Sequence, residues 1–373
     1  MKIVIISLVP APYRNPVFER INKKFGNNFT VIYCTQTEPL RGWKYEISTY
    51  NHIYLKDNYK ENTRRDKRLF VHNNLDVWGH LLRIKPDVVI SCGFNPTHLY
   101  GWLYTVLFRK KHIVWIEGWK MIDDRLTSTH IWVRKMVYKY TQAYIGPGER
   151  TAESYRSYGA KDKQIFYSPL FADAEKFNQY IPWQDRQYDL MFSGQLYQRK
   201  MPLFFAEVAK QVHKVFPKLK VLVAGDGPDK DKMLAILDSA NVAYEFPGFL
   251  PYEELPHYYA SSKIFLFPTE LDAWGTVANE ALATGTPVIT TPYAGVADDL
   301  VKSDENGYVL EAEVNKWADK IIALLSDQNM WQRFSDASRE TLTHFNQEKA
   351  AQGIIDACYY VLNASPQKKQ YQS

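Results

Sequence analysis

The sequence has 373 residues, of which 46% are hydrophobic and 23% charged, a composition that excludes a largely disordered chain and predicts two domains. The net charge of +5 is unevenly divided, because residues 1–170 contain 27 Lys and Arg against 14 Asp and Glu, whereas residues 171–373 contain 19 against 27. Three scattered cysteines (Cys34, Cys92, Cys358) argue against a disulfide framework or a zinc site and favour a reducing compartment, and no uncharged apolar run is long enough to span a bilayer.

Short apolar, β-branched runs alternate with helical patterns along the chain. The run at residues 2–8 is expected to be a buried strand and not a secretion signal, because the segment PAPYR that follows it is a poor cleavage site. Further strands are expected at residues 29–33, 88–90, 113–116, 143–145, 190–193, 221–224, 264–268 and 287–290, with helices that include 202–215 and 274–283. This alternation predicts an α/β fold of two Rossmann-like, doubly wound parallel-sheet domains that face each other across a cleft, with ligands at the carboxyl ends of the strands.

The periodicity breaks near residues 168–186, which divides the chain into a domain at residues 1–170 and a second at residues 171–345. A C-terminal helix is expected within residues 346–373, packing back towards the first domain and ending in a polar tail at residues 367–373.

The most informative stretch is FPTELDAWGTVANEA at residues 267–281. A predicted strand ends there in a polar loop, and a helix begins near Gly275, so its free N–H groups would suit a diphosphate or sugar hydroxyls. Asp272 and Glu280 flank that helix end and could accept hydrogen bonds from vicinal hydroxyls, so a sugar nucleotide would match both features. The alternative is that Asp272 is a helix cap and Glu280 a solvated helix residue.

Further motifs surround this stretch in a fixed order. They are VLVAGDGP at 221–228, PGFLP at 247–251 continuing into EEL at 253–255, GTPVI at 285–289, AG at 294–295 and NG at 306–307. With these motifs, residues 188–345 resemble the donor-binding domain of retaining glycosyltransferase family 4 (glycosyl transferases group 1), which has a GT-B fold. Asp272 departs from the family's E-x7-E motif by one methylene.

The resemblance implies a role for each matched residue. Glu280 would bind the ribose hydroxyls, and Asp272 would hold the donor sugar or face its anomeric region. The remaining donor-binding residues would be Ala273, Trp274, Gly275 and Thr276, through their backbone on the sugar and diphosphate, and Phe249 and Leu250, which would flank the base.

The segment GQLYQRK at residues 194–200 resembles the family's G-R-L-x-x-x-K loop, whose Arg and Lys neutralise the leaving diphosphate. Gly194 and Lys200 match that pattern, but Gln195 occupies the usual Arg position. Because a fixed charge beside the leaving phosphate stabilises the transition state, we consider Arg199 as the compensating charge. The alternative is that Arg199 and Lys200 form an ordinary solvated pair.

Loops at strand ends supply the candidates in the first domain. An acceptor-side loop is expected from Pro12, Tyr13 and Arg14 together with Asn95 and His98. The alternatives are that residues 7–14 form a structural turn and that His98 has a structural role.

Glu117 stands where many relatives place a His near the reaction centre. It could orient the acceptor hydroxyl or the donor sugar, and with Asp272, Glu280 and Lys200 it completes the predicted catalytic set. The alternative is an ion pair with Lys120 or Arg125.

No cofactor and no metal ion are expected beyond a nucleotide-diphosphate sugar as co-substrate. Asp229-Lys230-Asp231 has the D-x-D form of metal-dependent sugar transferases, but it lies between a Gly-Pro turn and a helix, so we interpret it as a capping run. The lone Gly225-x-Gly227 pair is weak evidence for phosphate binding.

Basic clusters in the first domain lie near aromatic residues. The clusters are Arg64-Arg65-Asp66-Lys67-Arg68, Arg109-Lys110-Lys111 and Arg134-Lys135, and the aromatics are Trp102, Tyr104, Phe108, Trp132 and Tyr138. This combination suits an anionic membrane surface that presents a lipid-linked acceptor, the alternative being a solvated basic face over buried aromatics. Nucleic acid is not an expected partner, because no binding motif is present and the second half is acidic. We expect a cytoplasmic protein, with a peripheral position at the inner face of the membrane as the further expectation.

The resemblance implies a metal-independent retaining hexosyltransferase. It would move a sugar from a UDP- or GDP-sugar to a glycan or lipid-linked glycan during cell-surface polysaccharide synthesis (capsule, O-antigen or lipopolysaccharide). Two alternatives stay open: a GT-B-like sugar-nucleotide epimerase or phosphorylase, and a non-catalytic scaffold that binds a nucleotide sugar.

Overall fold

Two compact units make up the chain. The computed structural model describes residues 1–39, 49–64 and 67–362, with the backbone alone at residues 62–64 and 67–69. The first unit contains Met1–Pro169 and a later segment that begins at Gln347, and the second contains Leu170–Asn346. The chain therefore passes between the units at residues 169–170 and again at residues 346–347. The binding roles expected of the two units stay predictions.

The first unit is built on a parallel sheet. Its strands are β1 (Ile3–Ser7), β2 (Phe29–Tyr33), β3 (Asn51–Tyr54), β6 (Val88–Ser91), β7 (Lys111–Trp115), β8 (Ala143–Gly146) and β9 (Ile165–Tyr167), and a separate antiparallel hairpin joins β4 (Tyr59–Arg64) to β5 (Lys67–His72). The sheet order is β3-β2-β1-β6-β7-β8-β9. Its helices are α1 (Asn15–Phe25), α2 (Val77–Ile84), α3 (Pro96–Leu107), α4 (Lys120–Asp123), α5 (Ser128–Lys139) and α6 (Glu149–Ser157). Strand β1 is buried along its whole length, as expected of a strand in the middle of a parallel sheet.

The second unit has the same plan. Its strands are β10 (Tyr188–Ser193), β11 (Lys220–Ala224), β12 (Ala243–Gly248), β13 (Ser262–Phe267), β14 (Val288–Thr290) and β15 (Gly307–Val309), in the parallel order β12-β11-β10-β13-β14-β15. Its helices are α7 (Pro202–His213), α8 (Lys230–Ser239), α9 (Leu255–Ala260), α10 (Thr276–Ala283), α11 (Val314–Ser326) and α12 (Gln328–Glu340). Two parallel sheets with intervening helices confirm the predicted fold class.

The last helix, α13 (Gln347–Val361), belongs to the first unit. Gly353 lies directly on β9, where a Cβ atom would come within 1.8 Å of the Tyr167 carbonyl oxygen. The ring of Tyr359 packs against Phe25 of α1, with ring centroids 5.9 Å apart. The predicted polar tail at residues 367–373 lies outside the described residues. Across the described part of the chain, no helix has the length and apolar character needed to cross a bilayer.

Candidate active site

One carboxylate and two cations meet where β10 and β13 end. Lys200 Nζ donates to Asp272 Oδ2 at 2.6 Å, and Arg199 Nη1 donates to the same oxygen at 3.1 Å. All three side chains are largely buried. Burial alone would raise the pKa of Asp272, but the charges of Lys200 and Arg199 hold that pKa below its usual value. Arg199 and Lys200 are therefore not a solvated pair, and Asp272 stays ionised between them.

The loop at residues 194–200 is held rigidly. The Tyr197 hydroxyl accepts hydrogen bonds from Arg199 Nη2 at 2.6 Å and from Nε at 3.1 Å, whereas the Gln195 side chain is exposed. A Cβ atom on Gly225 would lie 1.8 Å from the Gly194 carbonyl oxygen, so a glycine is required for these loops to approach. Gly225, the first glycine of the Gly225-x-Gly227 pair, is therefore explained by this close packing without a bound phosphate.

Residues 272–276 form the second loop of the site, hereafter called the donor loop after the role that the sequence resemblance implies for it. Gly275 has φ +111°, and a Cβ atom there would meet Phe267 Cε1 at 2.3 Å. The Asp272 N–H donates to the Tyr293 carbonyl at 3.0 Å, and the Val296 N–H donates to the Trp274 carbonyl at 3.2 Å. Helix α10 begins at Thr276 without a side-chain cap hydrogen bond, so Asp272 is not its cap.

Glu280 lies on α10 and is half-buried, so it is not a fully solvated residue. Burial raises the pKa of its carboxyl to about 7, and the neighbouring Tyr259 hydroxyl works against that shift. The carboxyl therefore titrates near neutral pH and can accept hydrogen bonds from a ligand that replaces the water it has lost.

The two residues expected to flank the base differ in exposure. Phe249 is 84% exposed, whereas Leu250 is buried. Of these two residues, Phe249 therefore presents an exposed aromatic ring, whereas the Leu250 side chain is enclosed by the protein.

The first unit contains a cavity of about 210 Å³ at the carboxyl end of its sheet. It is lined by Ser7, Leu8, Val9, Ala11, Tyr13, Arg14, Cys92, Trp115, Ile116 and Glu117. Arg14 Nη2 donates to Glu117 Oε1 at 2.8 Å, and the guanidinium lies 4.4 Å from the Trp115 ring centroid. The expected alternative partners of Glu117 were Lys120 and Arg125; its partner is Arg14, and Lys120 pairs with Asp124 at 3.0 Å instead.

The other acceptor-side candidates are not among the residues that line that cavity. Pro12 starts a short 3-10 turn, Asn95 precedes α3, and none of Pro12, Asn95 and His98 lines the cavity. His98 is 1% exposed, and burial lowers its pKa to about 3, so the imidazole is neutral. These observations favour the structural role for His98.

Potential metal ligands are scattered through the part of the chain that the structure describes. There, no group of three or more His, Cys, Asp or Glu side chains is placed to hold a metal ion. Asp229 and Asp231 of the D-x-D sequence lie at the start of α8, where Lys232 Nζ approaches Asp229 Oδ1 at 3.4 Å. Asp229 occupies the N-cap position of α8, but its side chain makes no capping hydrogen bond, so the interpretation as a capping run holds for the position and not for the bond.

The basic and aromatic residues of the first unit divide into two groups. Trp102, Tyr104 and Tyr138 are buried, and Arg134 pairs with Asp123 at 3.0 Å, so these four residues do not form an open surface. Exposed apolar side chains of the first unit include Leu107, Phe108, Trp132 and Tyr140. Arg65 and Asp66, and the side chains of Arg64, Lys67 and Arg68, lie outside the described residues.

Sequence comparisons place the second unit among known proteins. Residues 173–341 match the family described as glycosyl transferases group 1. Sulfoquinovosyl transferase SQD2 of Arabidopsis thaliana is 27% identical over 156 residues, 41% of this chain and 30% of that protein. The 2-deoxystreptamine N-acetyl-D-glucosaminyltransferase of Niallia circulans is 24% identical over 173 residues, 46% of this chain and 42% of that protein. The chain thus matches less than half the length of these relatives.

Solved structures resemble the chain over nearly its whole length. Sucrose-phosphate synthase from Thermosynechococcus elongatus superposes with a TM-score of 0.73 at 16% identity, covering 98% of this chain and all of that one. HepE from Anabaena, solved in complex with UDP, gives a TM-score of 0.75 at 13% identity and covers 96% of this chain and 99% of its own. At this identity the likeness establishes the fold, which is GT-B. Over residues 173–341, the second unit is similar to the glycosyl transferases group 1 family.

Proposed function

We propose that the protein is a metal-independent retaining glycosyltransferase that transfers a sugar from a nucleotide-diphosphate sugar to a glycan or lipid-linked glycan. The observation that carries this proposal is the cluster of Lys200, Arg199 and Asp272 beside the uncapped start of α10. Two cations and a helix N-terminus offer positive charge to a diphosphate, and the family match covers all of these residues.

In the proposed reaction, the bond between the anomeric carbon and the phosphate oxygen breaks while the acceptor oxygen bonds to the same face of the sugar. The acceptor proton passes to the departing phosphate oxygen, so no enzyme nucleophile is required. Lys200, Arg199 and the start of α10 stabilise the negative charge that develops on the diphosphate. Arg199 supplies the charge that Gln195 lacks. Glu280 binds the ribose hydroxyls.

The acceptor is assigned to the first unit. The cavity that contains Arg14 and Glu117 presents a carboxylate held in one orientation by an arginine, which suits an acceptor hydroxyl. The oxygen Glu117 Oε1 accepts from Arg14, and the second carboxylate oxygen is the one we assign to the acceptor. We assign the product to cell-surface polysaccharide synthesis.

A lipid-linked acceptor would require a peripheral contact with a membrane. The exposed Leu107, Phe108 and Tyr140 at the ends of α3 and α5, with the basic residues beside them, support that contact. Vesicles of phosphatidylglycerol and phosphatidylcholine should co-sediment the protein, whereas phosphatidylcholine alone should not. Phe108→Ser should weaken co-sedimentation and the exposed control Leu75→Ser should not, and equal binding to both vesicles would remove the membrane from the proposal.

The proposed activity is tested first by measuring whether nucleotides and nucleotide sugars bind the protein. HepE is described in complex with UDP and with UDP-glucose, so these are the first probes, followed by GDP and ADP sugars. A nucleotide that binds the folded protein raises its melting temperature by mass action. Slow hydrolysis of the sugar nucleotide is then followed by NMR. Release of the sugar with retained anomeric configuration supports the proposal, whereas binding without turnover on any glycan would favour the scaffold.

A further inference from the structure

A buried pair of side chains connects the donor loop to helix α10. The indole Nε1–H of Trp274 donates to Asn279 Oδ1 at 2.8 Å, and both residues are almost fully buried. No sequence motif of the donor site singles out Asn279. We propose that Trp274 and Asn279 are positioning residues that hold the donor loop and couple it to both points where the chain passes between the two units.

The first connection runs to the start of the second unit. Asn279 Nδ2 donates to the carbonyl of Leu170 at 2.9 Å, and Leu170 is the first residue of that unit. Because Oδ1 accepts from Trp274 while Nδ2 donates to Leu170, both ends of the amide are used, and only asparagine at this length satisfies both partners. A shift of the Trp274 indole is therefore transmitted to Leu170 through the Asn279 side chain.

The second connection runs to the end of the same unit. The Trp274 ring packs against Phe345, with ring centroids 6.0 Å apart and planes tilted by 35°. Phe345 directly precedes Asn346, the last residue of the second unit. One indole thus contacts the segment at which the chain leaves this unit and, through Asn279, the residue at which the chain enters it.

The donor loop is the part of the site that a sugar and a diphosphate would touch, so this inference rests on the proposed function. The Trp274 carbonyl accepts from the Val296 N–H at 3.2 Å, and Gly275 fits against Phe267 without room for a side chain. Because the backbone of the donor loop is closely packed at Trp274 and Gly275, a ligand that changes the conformation of the loop should either shift the Trp274 indole or restrict its motion. Ligand binding should then change the rate of amide hydrogen exchange at residues 170–172 and 343–346.

Hydrogen exchange of the ligand-free protein tests the coupling without any donor. Trp274→Phe removes the hydrogen bond to Asn279 but keeps a ring against Phe345, so exchange at residues 170–172 should rise about fivefold while residues 343–346 change little. Asn279→Leu keeps a side chain of similar size but can neither accept from the indole nor donate to Leu170, and should give the same pattern.

Trp317→Phe is the matched control, because Trp317 is also buried in this unit and donates its indole N–H to the Glu311 carbonyl at 2.9 Å. It should leave exchange at residues 170–172 unchanged relative to the rest of the unit. Equal exchange at residues 170–172 in wild type and both site variants, or an equal rise in the control, would overturn the inference.

UDP-glucose supplies a second arm with the unaltered protein. Binding should protect residues 272–282 and also residues 170–172 and 343–346, and in Trp274→Phe the protection at residues 170–172 should be lost. Protection of the donor loop alone would overturn the coupling. If UDP-glucose and the other sugar nucleotides protect no residue, the proposed function fails, while the ligand-free comparison still decides the positioning role.

Discussion

Replacing Glu280 by Gln should stabilise the free protein while weakening its binding of a nucleotide. Burial raises the pKa of this carboxyl from 4.5 to about 7, so the folded protein holds the proton more tightly than the unfolded chain does. The contribution of Glu280 to the free energy of unfolding is therefore expected to fall as the pH rises from about 4.5 to about 7 and to level off above that range. The amide of the Glu280→Gln variant is neutral at every pH and would not contribute this loss.

The size of the change in stability follows from the shift in the pKa of Glu280. One pKa unit corresponds to about 1.4 kcal/mol, so a shift from 4.5 to about 7 makes the ionised carboxyl cost on the order of 3 kcal/mol near pH 8. Glu280→Gln should be more stable than wild type by that order near pH 8 and about equally stable near pH 4. The buried His98 and His112 titrate in both proteins, so their contribution cancels in the difference.

Urea unfolding at the two pH values measures this difference directly. The control is Glu207→Gln, an exposed carboxyl on α7 whose replacement should change stability by no more than about 0.5 kcal/mol at either pH. Calorimetry with UDP should show about tenfold weaker binding for Glu280→Gln, since a carboxylate accepts ribose hydroxyls better than an amide does. A variant that is no more stable than wild type near pH 8 would refute the reasoning about burial.

The remaining predictions concern single contacts. Arg186→Met should lower the free energy of urea unfolding by about 3 kcal/mol or more, because the buried guanidinium donates to the Ser262 and Thr284 carbonyls; a loss below about 1 kcal/mol would contradict this. Gly353→Ala should lower the melting temperature, whereas Gly79→Ala, a helical glycine with no atom within 4 Å of the added Cβ, should hold or raise it. Asp272→Asn should bind UDP about threefold or more tightly by calorimetry while losing transfer, because Lys200 and Arg199 are no longer neutralised; weaker UDP binding would show that Asp272 does not compete with the diphosphate.

The strands predicted from the sequence are all inner strands of the two sheets. Inner strands of a parallel sheet are buried on both faces and appear as continuous apolar runs, as β1 does. The strands not predicted include β3, β9, β12 and β15, which are the edges of the sheets. Edge strands bury less of their surface, and β12 has no fully buried position, so they lack the apolar run that marks the others.

The candidate residues of the proposed donor site were identifiable from the sequence because they lie in motifs with fixed spacing around Asp272 and Glu280. The contacts that join distant parts of the chain could not be predicted from the sequence. Arg14 and Glu117 are 103 residues apart, and only the order β1-β6-β7 brings the loops after β1 and β7 to the same edge. Asn279 lies beside Glu280 in sequence, but its partner Leu170 is 109 residues away, and no local pattern encodes that hydrogen bond.

The central claim is that Lys200 and Glu280 serve the transfer of a sugar with retention of its configuration. The most direct measurement is NMR of the sugar released or transferred from the nucleotide sugar that the binding screen identifies, for wild type, Lys200→Ala, Glu280→Ala and the surface control Lys210→Ala. We expect a product of retained configuration from wild type and Lys210→Ala, and none from the two site variants although both stay folded. Wild-type turnover in both site variants, or an inverted product, would contradict the claim.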